Sequence, residues 1–178
     1  MFKKLALLAA ALTLPGLASA ATIVTYDFNW AGSDGYSMSG YFTYDQEDAA
    51  DRRIRDGEVM SIVFEGFIDG VSFGVVDDAN TVDGFNFNFN TRNGRFLTNG
   101  SAVGNRGQAW NIGGFGFAYL NDFTGSALFV DGDIVGVAGR NRLRASFRSI
   151  QEVPAPATLA LLGMGLFGLG LARRNKKA

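Results

Sequence analysis

The sequence predicts an all-β protein, an antiparallel β-sandwich or jelly roll, flanked by a signal peptide and a C-terminal hydrophobic helix. Three observations carry this expectation. Apolar and polar residues alternate along most of the central chain, glycine-containing turn pairs recur between the alternating runs, and the two long charge-free apolar stretches lie at the ends of the 178 residues. Alternation with period two places successive side chains on opposite faces of a strand. Many short strands separated by glycine-rich turns fit a sandwich or jelly roll.

At the N-terminus, Lys3 and Lys4 precede an unbroken small and apolar run from Leu5 to Leu14, followed by Pro15, Gly16 and Ala18-Ser19-Ala20. A basic start, a short apolar stretch and small residues, Ala18 and Ala20, before the cut define a secretory signal peptide. Cleavage is expected after Ala20 by signal peptidase. An amphipathic first helix is excluded, because the run has no polar face.

Residues 21–152 remain as one β-sandwich domain, long enough for a single core. All 17 acids of the chain fall here, against ten basic residues that are all arginine, so this region carries a net charge of −7 although the whole chain carries −1. Such a surface repels nucleic acid and anionic lipid and favours solubility. The chain has no cysteine and no histidine. Its stability therefore comes from packing alone, and a Ser-His-Asp triad, a cysteine nucleophile and an ordinary zinc or copper site are excluded.

Strands are expected at Tyr26 to Trp30, Phe85 to Asn90, Phe115 to Tyr119 and Leu143 to Phe147, where aromatic or apolar residues alternate with polar or small ones. Asp69-Gly70 joins the runs Ile62 to Ile68 and Val71 to Val76, and Asp131-Gly132 joins Ala127 to Val130 and Ile134 to Val137. Both pairs are hairpin signals, because each turn position tolerates positive φ. Asn93-Gly94 and Asn99-Gly100 mark further turns. Asp45 to Arg55 has one large apolar residue, Ile54, and reads as an exposed loop with at most one helical turn. Eight to ten strands result.

Several residue groups are candidate sites. Asn86, Asn88 and Asn90 fall on one face of their run, where amides can recognise sugar hydroxyls, and Trp30 and Trp110 can stack on a sugar ring; the same pattern also suits a solvated face and a buried core. Asp77, Asp78 and Asn80, with Asp131 and Asp133, supply the hard oxygens that calcium prefers, without a complete ligand loop; turn-forming is the competing role. Calcium is the sole cofactor these residues raise. A pair of the many acids could serve a glycosidase, which needs two carboxylates about 5–9 Å apart. Arg140, Arg142, Arg144 and Arg148 lie near the last strand with even spacing, which puts at least three on one face. An acidic polymer can dock on such a face, and an edge protected by charge has the same appearance.

At the C-terminus, Ala157 to Leu171 contains no charge, and Arg173, Arg174, Lys176 and Lys177 follow. A helix over 157–172 spans roughly 24 Å, short of a hydrocarbon core of about 30 Å, and its four glycines weaken it. The basic end places the C-terminus in the cytoplasm and the domain outside. Gly163-Met164-Gly165-Leu166-Phe167-Gly168 matches the dinucleotide-binding glycine pattern by accident, since no βαβ unit surrounds it and no acid follows. Before the helix, Pro154 and Pro156 enforce an extended spacer.

Val153-Pro154-Ala155-Pro156, the glycine-rich apolar stretch and the Arg/Lys end together resemble the PEP-CTERM sorting signal over residues 153–178. The resemblance implies an exosortase as partner, in a didermal bacterium that produces exopolysaccharide. Ala155 stands where that signal has glutamate. If the sortase needs the carboxylate the protein stays anchored as a single-pass membrane protein; if it reads the prolines and helix, cleavage proceeds. Gly40-Tyr41-Phe42-Thr43-Tyr44-Asp45 also resembles segments of other PEP-CTERM proteins. The expected function is an exported, surface-sorted, non-catalytic protein associated with exopolysaccharide or extracellular matrix, reached through a transient stop in the inner membrane. A carboxylate-based enzyme acting on such a polymer is the alternative.

Overall fold

Twelve strands form among the described residues of the computed structural model, which are 20–114, 116–140 and 142–154. In chain order they are β1 (Ala21–Ala31), β2 (Tyr36–Asp45), β3 (Arg53–Arg55), β4 (Val59–Ile68), β5 (Val71–Val76), β6 (Asn88–Asn90), β7 (Arg95–Phe96), β8 (Gln108–Trp110), β9 (Phe117–Asn121), β10 (Ser126–Val130), β11 (Asp133–Ala138) and β12 (Arg144–Val153). One sheet runs β12-β1-β2-β4-β5; a second runs β11-β10-β9-β8, and a third β3-β6-β7. An antiparallel bridge between Asn86 and Ala109 links the second sheet to the chain entering the third. Thr22–Gln151 makes up one compact unit.

Alternation decides which face of the large sheet is buried. Along β1, Val24, Phe28 and Trp30 are buried, and β2 and β4 contribute Met38, Phe42, Tyr44, Ile62 and Phe64 to the same core. Register aligns them: Trp30 pairs with Met38, Phe28 with Gly40, and Gly40 in turn with Phe64. Gly40 is required here, because an added Cβ would lie 2.1 Å from the Val63 carbonyl and 2.8 Å from the Phe28 ring. The opposite face of this sheet carries Thr25, Asp27, Ser39, Tyr41, Thr43 and Glu65, all half-buried or exposed.

The other two sheets cover the apolar face, so the molecule is a β-sandwich with an aromatic filling. Trp110 of β8 meets Phe28 at 5.1 Å, Phe64 at 5.8 Å, Phe96 at 5.6 Å and Tyr119 at 4.9 Å between ring centroids. Phe42 meets Phe87 and Phe89 edge-on, each at 4.9 Å. The Trp30 indole N–H donates to Ser126 Oγ at 2.7 Å, which satisfies the one polar atom this ring brings into the core.

Hairpins close where Asp-Gly pairs take positive φ at both central positions, the signature of the type I′ turn. Asp69-Gly70 has φ values of 49° and 81°, and Asp131-Gly132 of 49° and 93°. Asp34-Gly35, at 54° and 78°, turns β1 into β2 in the same way.

Three expectations need correction. The strand count exceeds eight to ten, because β3 and β7 are only three and two residues long and carry little pattern. The segment Asp45 to Arg55 is not simply an exposed loop: Gln46–Asp51 is a 3-10 helix, and Ile54 on β3 is fully buried opposite Phe89. The run from Phe85 pairs as a strand only over Asn88–Asn90. The Phe115 position, residues 1–19 of the signal peptide, the helix over 157–172 and the glycine pattern at 163–168 lie outside the described residues. Among the described residues no helix is long and apolar enough to cross a membrane.

Trp110→Ala is expected to cost about 3–5 kcal/mol of unfolding free energy by urea titration, the usual range for emptying a core tryptophan site. Tyr119 gives the contrasting case. Its hydroxyl is wholly buried near Ser126 and Asn121 but reaches hydrogen-bond geometry with neither. Tyr119→Phe is therefore expected to leave stability unchanged or raise it by up to about 1 kcal/mol.

Burial pushes the Tyr44 phenol from 10.0 up to about 12, with Tyr26 adding to the shift, and burial raises Tyr119 as well. A raised folded-state value contributes stability that is complete below the unfolded-state value and lost as pH rises through the folded one. Unfolding is thus expected to set in between pH 10 and about 12. Tyrosinate absorbance and near-ultraviolet circular dichroism should change together over that range, and deprotonation of these phenols without unfolding would contradict the burial.

Candidate functional site

The three asparagines of the Phe85–Asn90 run do not form an outward sugar-binding face. Phe87 and Phe89 point into the core as expected, but Asn88 is also buried, because the loop from Gly100 to Gly107 folds over the amide side. Asn88 Nδ2 donates to the carbonyls of Gly104 at 3.0 Å and Gly107 at 2.9 Å, and to Asn86 Oδ1 at 3.3 Å. Asn86 Nδ2 donates to Ala102, Gly104 and Gly107 carbonyls. Asn90 is half-buried and its side-chain oxygen accepts from the Arg92 amide at 3.0 Å. These amides are committed to the chain's own backbone.

Trp30 and Trp110 are 1% and 0% exposed, so neither presents a ring to a sugar. The Trp110 indole donates to Gln108 Oε1 at 3.3 Å, while Gln108 Nε2 donates to the Asn88 and Leu97 carbonyls at 2.8 and 2.9 Å. Gln108 is fully buried, and nothing in its local sequence marks it as the link between the tryptophan and the asparagines.

The oxygen-rich turns hold separate positions. Asp77 and Asp78 are exposed, and Asp78 takes a left-handed φ of 51° before a 3-10 turn over Ala79–Thr81. Asn80 donates its amide to the Val59 carbonyl at 3.0 Å, which pins this turn to β4. Asp131 and Asp133 flank the exposed turn between β10 and β11. Among the described residues no three His, Cys, Asp or Glu side chains gather where they could hold a metal ion. Hydrogen bonds from neighbours lower two carboxylates elsewhere, one exposed and one half-buried: Asp51 is held by the Arg55 guanidinium at 2.6 Å, and Asp122 by the Thr124 hydroxyl and backbone amide. Both are turn carboxylates kept ionised, opposite to what a general acid requires.

Two surface hollows stand out among the described residues. One, of about 530 Å3, lies between the Asn111–Gly116 segment and the Asp131-Gly132 turn. Asn111, its main side-chain amide, already donates to the Phe117 carbonyl at 2.8 Å. The other, of about 390 Å3, is lined by Asn93, Gly94, Arg95, Phe96 and Thr98 on one side and by Leu143, Arg144 and Ala145 on the other. No acid lines it.

This second groove redistributes the C-terminal arginines. Arg140 and Arg142 precede β12, so only Arg144 and Arg148 stand on the strand, and three of the four do not share one strand face as expected. Arg148 pairs with Asp27 and lies 5.0 Å over the Tyr41 ring. Arg144 instead lines the groove with Arg95 of β7, a partner that sequence reading missed because the two are far apart in the chain. Among the described residues neither Arg95 nor Arg144 is engaged in an ion pair.

Of the processing residues, Ala20 is exposed immediately before β1, Val153 closes β12 and is 43% exposed, and Pro154 is exposed beyond it. Ala18, Ala155 and Pro156 lie outside the described residues. A PEP-CTERM protein-sorting motif matches residues 152–176, which identifies the chain as an exported protein sorted by an exosortase. No curated protein and no solved structure matches the chain.

Asn88→Ala is expected to cost about 1–3 kcal/mol, because two bonds from a buried amide to the Gly104 and Gly107 carbonyls are lost and Asn86 alone is left to hold that loop. Asn88→Asp should cost more at neutral pH, since a buried carboxylate would face those oxygens. Its raised folded-state value should restore stability as pH falls. Urea titrations at two pH values and limited proteolysis in residues 100–107 test this; an Asn88→Asp protein as stable as the parent at neutral pH would refute the assigned donor role.

Proposed function

We propose that the β-sandwich is a non-catalytic surface or matrix protein that associates with exopolysaccharide after export and sorting. The observation that carries this reading is the position of the sorting motif. It begins at Glu152, inside the last strand, so the cargo it delivers is the sandwich itself. The absence of histidine and cysteine from the sequence removes the usual nucleophile and base pairs. The amide and tryptophan side chains that first invite a binding role are consumed in holding the fold, and this favours an open surface contact over an enclosed active site. In this reading the protein passes through signal peptidase and a membrane-anchored intermediate, then reaches the cell surface or medium.

The test is the intact mass of the protein recovered from the native cell surface and medium, together with its co-fractionation with the cell's polymer. A mass for Ala21 to near Pro154 in the polymer fraction is expected. Retention of Leu159 to Ala178 would instead identify a permanently anchored single-pass protein. Polymer that loses chain length on incubation with the purified protein would overturn the non-catalytic assignment.

A further inference from the structure

We propose that the groove between the β6–β7 turn and the start of β12 binds the carboxylate groups of an acidic polysaccharide, with Arg95 and Arg144 as its cationic contacts. This rests on the exopolysaccharide reading above and adds the class of polymer and the surface that meets it. The first support is convergence. Arg95 and Arg144 come from two different sheets, yet line one hollow together with the exposed amide of Asn93. β7 is the outer strand of its sheet and β12 the outer strand of the large sheet, so the groove lies where two sheet edges meet. A polymer can lie along such a border without threading into a closed pocket.

The second support is charge. Arg55 is occupied by Asp51 and Glu58, and Arg148 by Asp27, whereas the groove arginines have no acid in their lining. The groove thus joins two arginines without an ion pair in a lining that holds no carboxylate to compete for them. Arg92 and Arg142, both exposed, flank the lining residues in sequence. The overall charge of −7 does not prevent local binding of a polyanion. At physiological ionic strength charges are screened over about 8 Å, so acids on distant faces act weakly, while a guanidinium–carboxylate contact at about 2.8 Å keeps most of its strength. Arginine also fits this ligand by shape, because its planar fork matches the two oxygens of a carboxylate. The volume, about 390 Å3, falls within the range of small-ligand sites, about 300–1,000 Å3.

The probe is polygalacturonate, with dextran as the neutral polymer and dextran sulfate as the sulfated one, each cast into native gels run with the processed protein. Retardation by polygalacturonate and none by dextran is expected. Arg95→Gln/Arg144→Gln should weaken it at least tenfold, Arg95→Lys/Arg144→Lys should weaken it less, and Arg106→Gln, on another loop, should behave as the parent. Circular dichroism of each variant confirms folding. The inference is overturned by a parent protein that polygalacturonate does not retard, by a glutamine double variant that binds as the parent does, or by stronger retardation in dextran sulfate. Co-sedimentation with the producing cell's own polymer separates the two readings. If parent and glutamine variant sediment equally, the groove is overturned and the association stands; if the parent binds polygalacturonate through the arginines but not the native polymer, the groove stands and the association falls.

Discussion

The packing of Trp110 between the layers is the contact on which the rest of the sandwich depends. Its ring touches Phe28 and Phe64 of the large sheet, Phe96 of the small sheet and Tyr119 of its own, so one side chain ties three sheets together. A buried indole also brings a donor that must be satisfied, and Gln108, fully buried two residues earlier, accepts from it. Gln108 then donates to the Asn88 and Leu97 backbone, and Asn88 holds the loop carbonyls of Gly104 and Gly107. The aromatic core and the amide network are therefore one device. In a chain without disulfides, this linked packing replaces covalent cross-links as the restraint on a long irregular loop.

How far this was legible depends on how local each signal is. Asp69-Gly70 and Asp131-Gly132 carry their turn geometry within two residues, and the flanking apolar runs fix what they join. The phenylalanines of Phe85 to Asn90 were equally readable as inward-facing. The asparagines were not, because alternation shows that the two faces of a strand differ but not that the polar face is open. Here residues 100–107 cover it, and that segment has a glycine-rich composition that reads only as a turn. Ile54 shows the converse: one apolar residue is too little pattern to reveal a three-residue strand, yet it is wholly buried against β6. The pairing of Arg95 with Arg144 is set by which sheet edges meet, a property that no local window contains.

The two edges of the large sheet are guarded against pairing with another strand in different ways. β12 carries Arg144 and Arg148 on an edge whose ten residues are nearly all exposed, and long charged side chains hinder another strand from pairing there. The opposite edge, β5, has no charge between Val71 and Val76 and exposes Val71 and Val75. Its protection is geometric: the ladder to β4 shifts register at Phe67, and a bulge bends and twists the edge away from flat pairing. Charge thus gathers on one border of the large sheet and irregular backbone on the other. A basic, charge-guarded border is also the one suited to meeting a polyanion.

The ends of the folded body coincide with the features that direct its export. β1 starts at Ala21, the residue after the expected signal cleavage, and β12 continues through Glu152 and Val153, where the sorting motif begins. Pro154 then ends the strand's capacity to donate from every backbone position, because proline lacks the N–H. The sorting motif therefore opens on chain that the sheet already holds extended. Ala155 removes the carboxylate from the middle of that segment, yet the motif is matched across residues 152–176. Its signal is spread over ordered elements: two prolines, a glycine-rich apolar run and a basic end. Loss of one charge leaves the order of those elements in the sequence intact, and it is over that order that the motif is matched.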